Sequence, residues 1–320
     1  MTQPLAWLGR QGAWIIAALI FIGIALPPIG ALLKPYVAEA VFALLAIAFL
    51  QLDVSALKSH LRRPATVIAG TAWTVIAIPL LFGAVSLTVG LDRISPELFL
   101  ALLLQGVASP MMSGPALAAL IGLDATLVLI TLVTSTLLVP LSAPVFAWLF
   151  AGDALPLAPL ALGIKLLTIL AGSALVAAGL RWVMGRERVE RSRDELNGVN
   201  VVVLFVFVVA VMENVAENAI RAPWTVVALL LLAFVLFYAL LALTFLTFIK
   251  SGRRSAFALA FMASQRNLGL MLAATAGAVP DLVWLYVALA QFPIYLAPLL
   301  IAPLARRFGA TIGSAGKGPD

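Results

Sequence analysis

The sequence predicts an all-α integral membrane protein of ten transmembrane helices, and three observations carry that prediction. Hydrophobic residues make up 63% of the 320-residue chain and charged residues only 11%, whereas a soluble globular domain carries about 25% charge. The apolar residues fall in runs of roughly 18–25, each long enough to cross a bilayer as a helix, without the alternation that a membrane β-barrel requires. The basic residues collect in the short stretches between these runs, and mostly in every second stretch.

Taken in order, the expected spans cover 13–33, 36–53, 66–90, 97–121, 125–149, 158–182, 198–217, 224–248, 255–277 and 281–304. Arg10 precedes the first span, and Lys34 separates it from the second. Lys58, Arg62 and Arg63 follow the second, with His60, the chain's single histidine, read as a solvated neighbour of these charges. Arg93 precedes the fourth span. The stretch from Arg181 to Glu195 joins the sixth to the seventh and reads as a solvated connector. Arg221 follows the seventh, Lys250, Arg253 and Arg254 follow the eighth, and Arg306, Arg307 and Lys317 follow the tenth. The alternation puts 15 Lys and Arg on one side against 3 on the other, with Lys165 and Arg266 left inside spans. Short cytoplasmic loops carry the positive excess, so the sequence predicts a multi-pass protein of the inner (plasma) membrane with both termini in the cytoplasm. The first apolar run is too long for a cleaved signal.

Two of these runs are interrupted at matching places. Ala108-Ser109-Pro110-Met111-Met112-Ser113-Gly114-Pro115 lies in the fourth span, and Ala263-Ser264-Gln265-Arg266-Asn267-Leu268-Gly269 lies in the ninth. Both read Ala-Ser-x-x-x-x-Gly, half a chain apart. Pro110, Pro115 and Gly269 are the expected break points. Five spans per half turn the second half upside down relative to the first, so residues 1–155 and 156–320 form an inverted repeat. Paired interruptions in corresponding spans point to the binding site of a secondary transporter. The fifth and tenth spans agree in part through Pro140, Pro144, Pro293 and Pro298, which free backbone groups for neighbouring helices to satisfy.

A broken helix leaves backbone N–H and C=O groups unpaired near the membrane midplane, where they can meet a ligand. Arg266 adds a forked cation suited to a carboxylate, sulfate or phosphate; the alternative is a guanidinium bound to backbone carbonyls of the facing break. An arginine at membrane depth costs about 2.5–3.5 kcal/mol on insertion scales and marks a functional site. Gln265 and Asn267 each either line the cavity or stitch the break, and the same choice applies to Ser109, Ser113 and Ser264. Met112 and Gly114 complete the first break, Met111 and Met112 being suited to an apolar substrate or to core packing. Gln291 and Gln105 are buried amides that bind a ligand or bridge helices. Glu213, Asn214, Glu217 and Asn218 mark the outer end of the seventh span.

Around the fourth and fifth spans the run Ser109-Pro110-Met111-Met112-Ser113-Gly114, with Thr134-Ser135-Thr136-Leu137-Leu138-Val139-Pro140-Leu141-Ser142-Ala143-Pro144, resembles the bile acid:sodium symporter family. Asn267-Leu268-Gly269-Leu270 is similar to that family's motif in the ninth span. The resemblance implies a panel of spans 1, 2, 6 and 7 and a core of spans 3–5 and 8–10, with broken spans four and nine crossing at mid-membrane. It also implies uptake of organic anions with sodium. Yet the family's carboxylate in span nine falls at Met262, and its adjacent glutamine is Arg266. The Ser-Asn of span four falls at Pro115-Ala116, and the span-five hydroxyls fall at Val128 and Leu132. A hard cation needs oxygen ligands. The expectation is a divergent member that has lost its sodium sites, with Arg266 in place of the cation, against the alternative of a conventional sodium-coupled symporter.

Other classes fit less well. With 0 Cys there is no thiol nucleophile or thiolate metal site, and no metal or cofactor is expected. A sodium/proton antiporter needs a carboxylate at the crossing, and none of the acidic residues lies there. An intramembrane enzyme acting on lipid-like substrates is the runner-up from another class, but clustered carboxylates or a nucleophile with its base are not visible. The expected partners are a small organic anion and the lipid bilayer, with no nucleic acid. A monomer is compatible with this reading, and the coupling ion stays open.

Overall fold

The computed structural model describes residues 12–52, 64–151 and 158–307, and what it describes is helical throughout apart from turns and one isolated backbone bridge. Arg10, Lys58, His60, Arg62, Arg63, Lys317 and the expected boundary between halves at 155/156 lie outside the described residues.

The helices are α1 (Gly12–Ala25), α2 (Pro27–Leu50), α3 (Pro64–Thr88), α4 (Pro96–Val107), α5 (Gly114–Leu120), α6 (Ala125–Ala151) and α7 (Pro159–Met184). They continue with α8 (Arg193–Arg221, interrupted between Val211 and Val215), α9 (Pro223–Ser251), α10 (Arg253–Ser264), α11 (Leu268–Ala274) and α12 (Asp281–Arg307). Among the described residues six helices, α2, α3, α6, α7, α8 and α9, are long and apolar enough to cross a membrane; α12, bent by 42° between residues 297 and 299, makes a seventh. The count falls short of ten because expected spans one, four and nine are shorter pieces: α1, the pair α4/α5 and the pair α10/α11. A sum of hydropathy over a window does not register where a backbone stops being helical.

Local chemistry explains several details. The chain turns at Leu26 (φ −122°, ψ 53°) rather than at the expected boundary near 34. A residue before proline avoids the helical region, and Pro27 then fits the first helical turn. Lys34–Tyr36 is only a 3₁₀ turn within α2. In α3 a π-turn over Trp73–Ala77 precedes Pro79, which has no N–H to donate. The Ile78 N–H bonds instead to Trp73, five residues back. On α7, a Cβ at Gly163 would lie 2.8 Å from the Pro140 carbonyl and 2.7 Å from the Pro144 ring. Glycine is what lets α7 approach the carbonyl that Pro144 leaves unpaired in α6.

Burial separates the elements into two kinds. In α10 every residue from Ser255 to Ser264 is buried, as is all of α11 and the whole of α4 from Phe99 onward. The long helices instead expose bulky apolar side chains, among them Leu160, Leu167 and Leu175 on α7 and Trp224, Leu231, Val235 and Leu246 on α9. In a bilayer that apolar face meets acyl chains, so the broken helices sit inside a shell of continuous ones. α10 packs against α9 and α6, α11 against α2, and α4 against α3 and α12.

Candidate functional site

The breaks at 108–113 and 265–267 meet. Pro110 and Arg266 form an antiparallel backbone bridge, closed on one side by Met111 N–H donating to the Gln265 carbonyl and on the other by Asn267 N–H donating to the Ser109 carbonyl, each 2.8 Å. Each break thus satisfies backbone groups that the other leaves open, as non-helical backbone at membrane depth requires.

Arg266 is 2% exposed. Its Nε donates to the Gln105 carbonyl (3.1 Å) and its Nη2 to the Gly106 carbonyl (2.5 Å), in the last turn of α4. The final carbonyls of a helix have no partner within it and carry the negative end of its dipole. The guanidinium therefore occupies the place that favours a cation, and only Nη1 lacks a hydrogen-bond partner among the described residues. The Gln105 side chain is held from the other side by the Tyr286 hydroxyl, which donates to Oε1, tying α4 to α12.

The other expected site residues separate into two groups. Asn267 lines a cavity of about 420 Å³ and also accepts the Leu270 N–H at 3.1 Å through Oδ1, so it caps α11 while facing the cavity. Met112, Ser113, Pro115 and Gln291 line the cavity as well. Gln291 Nε2 donates to Val287 within α12, and Arg266 reaches the lining too. Gln265, Ser264, Ser109 and Gly114 are buried but lie outside the lining. Ser264 Oγ donates to Phe261, whereas both side-chain atoms of Gln265 and the Ser109 hydroxyl are unpartnered among the described residues.

Two expected break points take other roles. Pro115 lies in the first turn of α5, where its missing N–H costs nothing. Gly269 lies inside α11, where a Cβ would come within 2.9 Å of Phe207 Cζ and 3.3 Å of Val41 Cγ2; it is needed for close packing against α8 and α2. Of the three, Pro110 alone stands in a break.

The stretch from Arg181 to Glu195, expected to be a solvated connector, does more than connect. Arg181 donates to the Phe49, Leu50 and Leu52 carbonyls and so caps α2. Arg193, Asn197 and Asn200 line the cavity from α8, and Gln51 and Leu52 from the end of α2. Arg193 and Gln51 stand at one end of these two helices. Toward the opposite ends, Lys34 pairs with Glu213 at 2.7 Å, and its ammonium lies 5.2 Å from the Trp284 ring of α12.

With this geometry in view, residues 39–184 match the Sodium Bile acid symporter family. The match covers a little under half of the chain, which is similar to that family over this stretch. The matched stretch runs from α2 to the end of α7 and includes the first break, while the second, with Arg266, lies beyond it. No curated protein matches the chain. This similarity agrees with the multiple apolar helices and with a transport role for a membrane protein.

Proposed function

We propose that the chain is a secondary carrier of organic anions that works by alternating access, with substrate held in the cavity beside the crossed breaks and Arg266 doing the work of a coupling cation. In this reading α4/α5 and α10/α11 each count as one interrupted pass. Ten passes then form two inverted halves, and the helices that pack on α11 from across the cavity, α2 and α8, belong to a panel that moves against the core. The carrier lies in the plasma membrane with Arg193 and Gln51 on the cytoplasmic side.

One observation carries the reading: the Arg266 guanidinium lies on the C-terminal carbonyls of the half-helix from the opposite break. Transporters of this architecture place cations at such half-helix ends. A fixed guanidinium there supplies the charge without an ion, and the positions where a sodium ligand is expected, Met262, Pro115, Ala116, Val128 and Leu132, offer no side-chain oxygen. A second reading, conventional sodium coupling, is favoured by the buried hydroxyls of Ser109, Thr131, Ser135 and Thr136 and the Gln265 amide, all without partners among the described residues.

Counterflow tests carriage itself. Proteoliposomes loaded with unlabelled cholate should transiently accumulate external labelled cholate above equilibrium. Absence of that overshoot in vesicles that still bind cholate would mean a binding protein or a channel.

A further inference from the structure

Among the described residues Arg266 is the only Lys, Arg, Asp or Glu that is buried. Lys34 is neutralised by Glu213 at 2.7 Å. Arg193 is exposed, at the start of the α8 face that lines the cavity on to Leu204 and Phe207. The carboxylates on the helices around the crossing stand at helix ends. Glu97 lies in the first turn of α4, opposite the end that holds Arg266. Asp124 caps α6 by accepting the Leu127 N–H, and Asp281 lies in the first turn of α12. No described carboxylate is paired with Arg266. The end of α4 opposes it with roughly half an elementary charge, so part of the guanidinium charge is unmatched, and Nη1 has no partner among the described residues. Arg266 nevertheless reaches the cavity lining, where water or an anion can stand beside it.

A mobile cation and a fixed one differ in the return stroke of a carrier. A bound metal ion dissociates once the substrate is delivered, and the empty core goes back uncharged. A guanidinium cannot dissociate, so the empty core goes back charged. Between its two open states the core passes through a closed one from which water is expelled, and a charge stranded there without a counter-charge is costly. We propose that the protein is an anion exchanger. An anion beside Arg266 is needed on both strokes, so one monoanion enters for each that leaves and no net charge moves. The gradient of the second anion then drives accumulation in place of a sodium gradient. Exchange presupposes the carrier reading of the cavity and adds what the core holds on its way back.

The test uses the full-length protein in proteoliposomes loaded with tritiated taurocholate, a sulfonate that stays ionised, with the leak of protein-free liposomes subtracted. Efflux is followed into isotonic sucrose buffer with and without unlabelled taurocholate. External taurocholate should speed the efflux by about thirtyfold, the lower end of the cost of leaving a buried charge without its partner. Equal protein-dependent rates in the two buffers overturn exchange and leave the carrier reading standing. Absence of protein-dependent efflux in both overturns exchange and carriage together. Arg266→Lys keeps the charge and should keep most of the ratio, whereas Arg266→Gln should bring it toward one by easing the empty return. A glutamine variant that carries at the full ratio overturns the role given to the guanidinium. Arg266→Gln is expected to be the less stable protein, so the wild-type ratio decides the question by itself.

Discussion

Arg266→Gln is the most informative single change at the crossing. The wild-type side chain serves the Gln105 and Gly106 carbonyls at 3.1 and 2.5 Å in a site only 2% exposed. A glutamine is shorter and offers one amide in place of the fork, so it cannot hold two carbonyls in that geometry. A buried polar group left without its partner costs about 1–3 kcal/mol, and hydrogen bonds to a charged group lie at the upper end. Part of that loss is offset, because the variant no longer desolvates a charge. The net expectation is a loss of about 2–4 kcal/mol, read as a lowered midpoint in equilibrium unfolding of the purified protein in micelles. Arg266→Lys, with a single point charge, should fall between the two. If Arg266→Gln unfolds within about 0.5 kcal/mol of wild type, the range of an inconsequential substitution, then the guanidinium does not hold the breaks together.

Two further outcomes follow from the packing. Gly269→Val should cost about 1–3 kcal/mol in the same assay, the usual range for overpacking, because its Cβ would lie 2.9 Å from Phe207; an unchanged midpoint would mean that Phe207 yields freely. The Lys34–Glu213 pair with the Trp284 ring links α2 and α8 to α12 on the side away from Arg193, so Lys34→Gln should favour opening there. Since the chain has 0 Cys, a single cysteine at position 113 can report it: labelling by an impermeant maleimide from the extracellular side should rise about fivefold, the value of one lost pair of this kind, and an unaltered rate would contradict the link.

The breaks were legible because their residues are improbable in an apolar helix: Ser-Pro in one, three polar side chains in a row in the other. That they meet as an antiparallel bridge was not, since hydropathy carries no information on which segments touch. Arg266 showed itself as costly, but the choice between ligand and backbone carbonyls depended on α4, which precedes it by some 160 residues in the chain. Gly269 read as a break point but lies inside α11 at a point of close approach, because a lone glycine serves either end equally well. Arg193 was hidden among neighbouring charges at the edge of a connector. Only the helical phase that aligns it with Leu204 and Phe207 reveals the face it shares with the cavity.

In the proposed carrier a fixed guanidinium takes the place of sodium. Uptake of labelled cholate into proteoliposomes, with external sodium replaced by choline at constant ionic strength and membrane potential, decides whether it does. Equal initial rates with and without sodium are expected; a steep rise with sodium concentration would show that an ion is still required.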